Sequence, residues 1–465
     1  FQDSTGNTLD NNTIHWIHVY SIMFYNTNYS VVYNTDMKGV GGDGIKIISN
    51  YSGYNNITNF TGDIAEFCIF LSGGRGNNRV LNLNCNAATE ITGAGVRILA
   101  AGWGTENGSY LENLTINNSE NGIFYSGREG VVNGNVTVYN FTILNSQNDG
   151  LAFWDPYGTT NGARFGTFIN GLINNSGSFD VRSQASNNNN NTLLNVTFNQ
   201  SKSSITAGVV YVKWFLDVNV TNENNAAIQN ANVTVYDNSQ EFVFSELTTA
   251  NGYITTKNLT EYLQDSSDRL LFTNYTVNAS ASGYSNGTAQ LNLTTNSKIT
   301  VILKNPPKWS SNSTNGTGAG TFIQHSVNWT DETALSGYIF SFNNGSGSFT
   351  NDSFVTFSGT QNWSNVSKWV NTTTATIQWY VWANDSLNNI NSTSTFQYTT
   401  SGANSAPTIP FVQVIAAQSP TEASTTSITF NFTARDTDGV ANLNDSTAQA
   451  RFNKTGEATR SNLSC

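Results

Sequence analysis

Leu114-Thr115-Ile116-Asn117-Asn118-Ser119, followed by Asn121-Gly122-Ile123-Phe124, returns as Phe141-Thr142-Ile143-Leu144-Asn145-Ser146 with Asp149-Gly150-Leu151-Ala152-Phe153. Each copy reads as an alternating apolar strand, an Asn-Ser corner, a Gly turn and a second apolar strand. The period of two assigns strand, since successive side chains point to opposite faces. Repetition at roughly 20 to 50 residues marks a solenoid, because one repeat cannot bury its own apolar face.

The same grammar extends outward over residues 1–208. Aligned Asn corners fall at Asn86, Asn118, Asn145, Asn175 and Asn199, 24 to 32 residues apart. Apolar residues precede each corner: Leu81/Leu83, Leu114/Ile116, Phe141/Ile143, Leu172, and Val196/Phe198. Asn suits a corner because it tolerates left-handed backbone and can stack amide on amide. Trp16, Tyr20, Phe24, Tyr25, Tyr29 and Tyr33 are expected to cap the first coil. The run Asn187–Asn191 is expected to bulge out as a loop. The stretch resembles the right-handed parallel β-helix family, the pectate-lyase-like and NosD-like solenoids. That resemblance covers the first two-fifths of the chain and rests on repeat grammar, not on a catalytic motif.

At 465 residues the chain has room for about three or four domains. About 70 residues are Asn and only 11% are charged. Short Val, Ile, Thr and Phe runs between Asn, Gly and Ser clusters predict an all-β protein, a parallel β-helix followed by tandem β-sandwiches. A net charge of −11 without a basic cluster argues against nucleic acid or an anionic membrane surface as partner. No apolar run approaches about 18 residues, so no transmembrane segment is expected. The opening has no charged-then-apolar leader, which points to a processed start or an excised piece.

The grammar changes near Tyr211. In residues 209–304, Leu216-Asp217-Val218-Asn219-Val220, Asn232-Val233-Thr234-Val235, Thr249-Ala250-Asn251-Gly252-Tyr253, Tyr275-Thr276-Val277 and Ser282-Gly283-Tyr284 follow in order. They resemble the carboxypeptidase-regulatory-like β-sandwich, a spacer in surface proteins. Asn305-Pro306-Pro307 opens residues 305–402 as a linker, since Pro cannot join a sheet interior. Strands every 8 to 12 residues there predict an immunoglobulin-like or fibronectin-III-like sandwich. Trp379-Tyr380-Val381-Trp382-Ala383-Asn384-Asp385-Ser386 resembles the F strand of such modules in archaeal surface proteins. Trp329 and Trp379 are expected in its core, with sugar stacking as their alternative role. Residues 403–465 read as a partial sandwich.

About 35 Asn-x-Ser/Thr sequons occur, where composition alone predicts about 16. The excess predicts an exported, N-glycosylated chain. Asn113, Asn135, Asn140, Asn195, Asn219, Asn232, Asn274, Asn328, Asn362, Asn384 and Asn431 are the expected acceptors, on outward strand positions. The cysteines are Cys68, Cys85 and Cys465, without C-x-x-C spacing. Cys68 and Cys85 lie about one coil apart and read either as a disulfide or as two buried thiols; the partner of Cys465 is expected beyond the chain.

Catalytic signals are thin. Asp149, Asp155, Arg164 and Arg182 share one face if the coils are regular, but no paired aspartates and no histidine-based triad appear. No catalytic residue is assigned, and the chain is not expected to be an enzyme. Asp436-x-Asp438-Gly439 with Asp445 offers hard oxygen ligands for Ca²⁺, the one metal considered; the same string suits a turn. Three functions follow: a self-assembling surface glycoprotein of S-layer or extracellular-filament type, an adhesin or glycan-binding protein, and a polysaccharide lyase or hydrolase. The first has the most support, with copies of itself and covalent N-glycans as partners.

Overall fold

The computed structural model describes residues 1–48, 52–72, 74–86, 93–100, 106–127, 133–154, 163–184, 190–402, 405–419, 422–424, 426–437, 439–440, 443–453, 455–456 and 458–462. It divides into two compact units, Phe1–Lys304 and Asn305–Cys465. Among the described residues the elements are strands and short 3-10 turns, with no α-helix.

In the first unit two parallel sheets grow together, one strand each per coil. One sheet runs through Val31–Val40, Asn56–Ile64, Arg79–Asn86, Tyr110–Asn117, Thr137–Leu144, Thr167–Asn174 and Asn191–Thr197. The other runs through Tyr20–Tyr25, Asp43–Ile48, Phe67–Ser72, Ala94–Ala100, Asn121–Gly127, Leu151–Phe153, Val181–Ser183 and Ser203–Ile205. The chain visits the sheets alternately, which makes a wound solenoid. Its core is a set of in-register columns: Val32, Ile57, Val80, Leu111, Val138, Phe168 and Leu193 stack coil on coil. All are buried. Burial of this kind is worth roughly 1.5–3 kcal/mol per large side chain.

Each strand of the first sheet bends at an asparagine. Asn34, Asn59, Asn82, Asn113, Asn140, Asn170 and Asn195 have φ between 51° and 59°. Left-handed backbone costs most L-residues about 1–2 kcal/mol, and asparagine is a common exception. The bend shifts the alternation by one residue. Leu111 is buried, Glu112 and Asn113 face outward, and Leu114 is buried again. The side chains stack as a ladder: Asn59 donates to Asn34 (2.9 Å), Asn82 to Asn59 (2.8 Å), Asn113 to Asn82 (3.0 Å) and Asn195 to Asn170 (2.7 Å). A second ladder runs through the expected corners. Asn175 donates to Asn145 at 2.7 Å, Asn145 to Asn117 at 2.9 Å, and Asn118 to Asn86 at 3.3 Å.

Two expectations need correction. Leu172 does not face the core; it is 38% exposed. The bend at Asn170 turns Gly171 and Ile173 inward instead, in register with Phe141 and Ile143. Asn191 is not part of a loop. It is fully buried, opens a strand, accepts from Gly166 N at 2.9 Å and donates to Ala163 O at 2.9 Å. Asn187–Asn189 lie outside the described residues.

Cys68 and Cys85 form a disulfide, with Cα atoms 6.0 Å apart. It ties Phe67–Ser72 of one sheet to Arg79–Asn86 of the other, across successive coils.

Residue 209 is not a break in the sheet. Val210–Asn222 pairs in parallel with Asn191–Thr197, then antiparallel with Lys257–Gln264 and in parallel with Ser297–Leu303. One 13-stranded sheet therefore runs from the solenoid into the following module. A four-stranded sheet of Phe242–Leu247, Asn232–Tyr236, Tyr275–Ser280 and Gly287–Leu291 contributes Val233, Val235 and Val277 to the same core.

In the second unit, Lys308–Thr314, Thr321–Thr330 and Gln361–Val370 form a three-stranded antiparallel sheet. A second sheet is built on Leu335–Asn343 and Thr376–Asp385. Ile323, Val327 and Trp329 from the first meet Phe340, Trp379 and Val381 from the second in one core. Thr408–Val412 with Phe432–Arg435, and Ala450–Phe452 with Arg460–Asn462, form two further hairpin-like pairs.

Candidate functional site

The outer face of the second solenoid sheet carries the most unusual chemistry. Successive coils place Lys46, Phe70, Arg97, Phe124, Ala152 and Arg182 in one column. Alternation forces this column outward, because its neighbours Ile45, Ile69, Val96, Ile123, Leu151 and Val181 fill the core. Cations and rings interleave along it. Lys46 Nζ lies 4.4 Å from the centroid of Tyr20 and 4.6 Å from that of Phe70. The Arg97 guanidinium lies 5.2 Å from both Phe67 and Phe70. Arg182 lies 4.7 Å from Trp154 and 5.4 Å from Phe179. Each such contact contributes about 0.5–2 kcal/mol, more where water is excluded.

Asp43 and Asp149 face cations of this column. Asp43 Oδ2 is 2.7 Å from Lys46 Nζ, and Asp149 Oδ2 is 3.3 Å from Arg182. Trp154 Nε1 donates to the same Asp149 oxygen at 3.2 Å. Burial pushes both carboxyls above the ordinary carboxylate value, against the pull of their cations. A third acid, Glu106, is fully buried; burial raises it too, while Asn78, Gly74 N and Ser109 donate to it. It closes a polar column beneath a corner, in which Asn55 N donates to Asn78 Oδ1 at 3.1 Å and Asn78 N to Ser109 at 3.1 Å.

Of the four residues that could share one face, Asp149 and Arg182 are brought together. Arg164 sits in the short pair Asn133–Gly134 with Ala163–Arg164. Asp155 lies outside the described residues. Asp43 and Asp149 stand in one column four rungs apart, about 19 Å at ~4.8 Å per rung. Glycoside cleavage needs two carboxyls roughly 5–9.5 Å apart. This pair does not meet that geometry.

Among the described residues no cluster of three or more His, Cys, Asp or Glu is positioned to hold a metal. Asp438, the side chain of Asp445, and Cys465 lie outside the described residues, so the Asp436 site has no described geometry.

The expected glycan acceptors fall into distinct settings. Asn113, Asn140 and Asn195 belong to the left-handed ladder, and each donates its amide to a neighbouring coil. Asn135 is left-handed and exposed. Asn219 is half-buried beside Gly252. Asn232, Asn274 and Asn431 are exposed. Asn232 accepts from Ser245 at 2.7 Å. Asn328, Asn362 and Asn384 are half-buried, with amides donating to Ser310, Ser358 O and Asn388.

Trp329 and Trp379 are core residues, 0% and 1% exposed. Exposed rings of that unit include Phe322, Trp363 and Trp369. Strand alternation around Trp329 carried the signal for this, since Phe322 is an odd number of residues from it.

No family model matches the chain and no curated protein matches it. Among solved structures, parts of the chain are similar to a DUF3823 family protein from Parabacteroides merdae, at 10% identity and TM-score 0.19 over 40% of this chain and 98% of that one. BcpA, the major pilin subunit of Bacillus cereus, is similar at 12% identity and TM-score 0.26 over 40% of this chain and 69% of that one. A streptococcal ancillary pilin is similar at 12% identity and TM-score 0.18 over 42% and 64%. Likeness at this level carries no argument about function.

Proposed function

We propose that this chain is a structural cell-surface glycoprotein that assembles with its own copies, as an S-layer or extracellular-filament subunit of the archaeal type its sequence resembles. The observation that supports this most is the shared strand Val210–Asn222, which joins the solenoid to the next module in one hydrogen-bonded sheet. Such a joint carries load without a flexible linker. Segments 209–304, 305–402 and 403–465 are read as tandem sandwiches. The chain is read as non-enzymatic; in support, the described outer-face carboxylates Asp43 and Asp149 are engaged by cations and stand about 19 Å apart, too far to share a substrate bond.

Open strand edges supply the surface for self-contact. Arg269–Leu271 ends the 13-stranded sheet, with Leu270 57% and Leu271 48% exposed. Electron microscopy of material taken from the native surface, and of the purified chain at high concentration, tests the reading. Ordered sheets or filaments are expected. Dispersed monomers in both preparations would sink it.

Within this reading, N-glycans sit on sequons whose amides are free and exposed, such as Asn274 and Asn431. The ladder sequons Asn113, Asn140 and Asn195 stay bare. Their coils are ~4.8 Å apart, too close for a sugar on every rung.

A further inference from the structure

The three-stranded sheet of the second unit has an outer face that its own fold leaves uncovered. Ile323, Val327 and Trp329 point into the core, so Phe322, Gln324, Ser326 and Asn328 lie on the other face, with the small Ser326 buried between its larger neighbours. Antiparallel register sets Phe322 opposite Trp369, Gln324 opposite Ser367, Ser326 opposite Asn365, and Asn328 opposite Trp363. Phe322 is 66% exposed, Trp369 49% and Trp363 43%. Phe322 and Trp369 meet edge to face, their centroids 5.1 Å apart. Exposed rings grouped in this way mark a surface that something covers.

The centre of the patch identifies the cover. Asn365 lies between the two tryptophans, on the same strand face, two residues after Trp363 and four before Trp369. It begins the sequon Asn365-Val366-Ser367. Its amide is exposed and makes no hydrogen bond to another described residue. The other outer-face sequon differs: Asn328 donates to Ser310 at 3.1 Å and accepts from Gln361 at 3.2 Å. Same-face neighbours two apart along a strand are about 6.6 Å apart. That is within reach of a pyranose ring leaving Asn365 and folding onto the indole of Trp363. No acidic or basic side chain stands between the rings, so the face suits an uncharged sugar. Lys368 points to the other side and pairs with Asp352.

We propose that Asn365 is an N-glycosylation site whose first sugar stacks on Trp363, with Trp369 and Phe322 receiving the sugars that follow. The inference rests on the glycoprotein reading above. The donor is an oligosaccharide activated as a lipid-linked phosphate or diphosphate. The bond from the sugar C1 to the phosphate oxygen breaks as C1 bonds to Asn365 Nδ2. The phosphate leaves with the electron pair, and Nδ2 loses one proton to a base of the transferase. The remaining Nδ2 hydrogen stays free to bond the sheet or the sugar.

Site-resolved glycopeptide mass spectrometry of the natively produced full chain tests the assignment. Sugar is expected on Asn365 and not on Asn59, Asn113, Asn140 or Asn195. Sugar elsewhere with a bare Asn365 overturns the inference and leaves the glycoprotein reading standing. Sugar nowhere overturns both. Enzymatic or chemical removal of the glycans tests the stacking. It is expected to raise acrylamide quenching of tryptophan fluorescence about twofold in the parent, with a smaller rise in Trp363→Ala. Equal rises in parent and variant overturn the role given to Trp363.

Discussion

Asn82 Nδ2 donates to Asn59 Oδ1 at 2.8 Å, across 23 residues of chain and one turn of the solenoid. The same amide oxygen column continues upward, since Asn113 donates to Asn82 at 3.0 Å. Asn82 therefore holds two coils and a left-handed bend at once. It begins no sequon, so its substitution reads the ladder alone. Asn82→Ala is expected to cost about 2–4 kcal/mol, from left-handed strain and lost hydrogen bonds. Asn82→Gly keeps the bend and is expected to cost about half as much. Calorimetry of the full chain measures both; an unshifted solenoid transition in Asn82→Ala would refute the ladder's role.

Phe141 fills the space that Gly171 leaves one coil above. A Cβ at Gly171 would lie 2.1 Å from Phe141 Cζ. Gly171→Ala is expected to destabilise by about 1–3 kcal/mol through overpacking. Adding Phe141→Leu is expected to recover part of that loss. A double variant that melts at the sum of the two single losses would show that the contact does not set the cost.

The Cys68–Cys85 disulfide closes a loop with a sequence separation of 17. Replacing both cysteines with alanine is expected to lower stability by about 2–4 kcal/mol. The solenoid transition should fall while that of the Asn305–Cys465 unit stays in place. Equal stability under reducing and oxidising conditions would count against the bond.

His325 is buried among Phe340, Phe342, Trp379 and Tyr398, with Nε2 3.1 Å from the Tyr398 hydroxyl. Burial lowers its pKa from 6.5 to about 4. The unfolded chain thus takes up a proton near pH 6.5, and the folded chain not until about pH 4. The resulting stability is complete above pH 6.5 and is lost as pH falls toward 4, up to about 3 kcal/mol. His325→Phe is expected to flatten that part of the melting profile. A variant with the parent's slope between pH 6.5 and 4 would place the dependence on other groups.

Short-range pattern made the solenoid legible. Period-two apolar runs with recurrent Asn and Gly corners leave a wound stack as the way to bury Leu111, Leu114 and Ile116 beside their counterparts. The expectation stopped short at Leu172, because pure alternation does not register a left-handed residue. Asn170 shifts the phase and exchanges inside for outside. The sequence placed Asp149 and Arg182 on one possible face; their pairing, and Trp154 and Phe124 beside it, came only with the fold.

The sequence alone determined that the described elements are mainly strands and that those of the N-terminal part wind, because both follow from the spacing of neighbouring apolar side chains. Tertiary structure decided which asparagines are tied into ladders and which, like Asn365, stand free. It also decided that Trp329 is core while Trp363 meets water, and that the sheet runs unbroken past residue 209. These outcomes depend on partners one coil or one strand away, and only folding brings those partners within hydrogen-bonding distance.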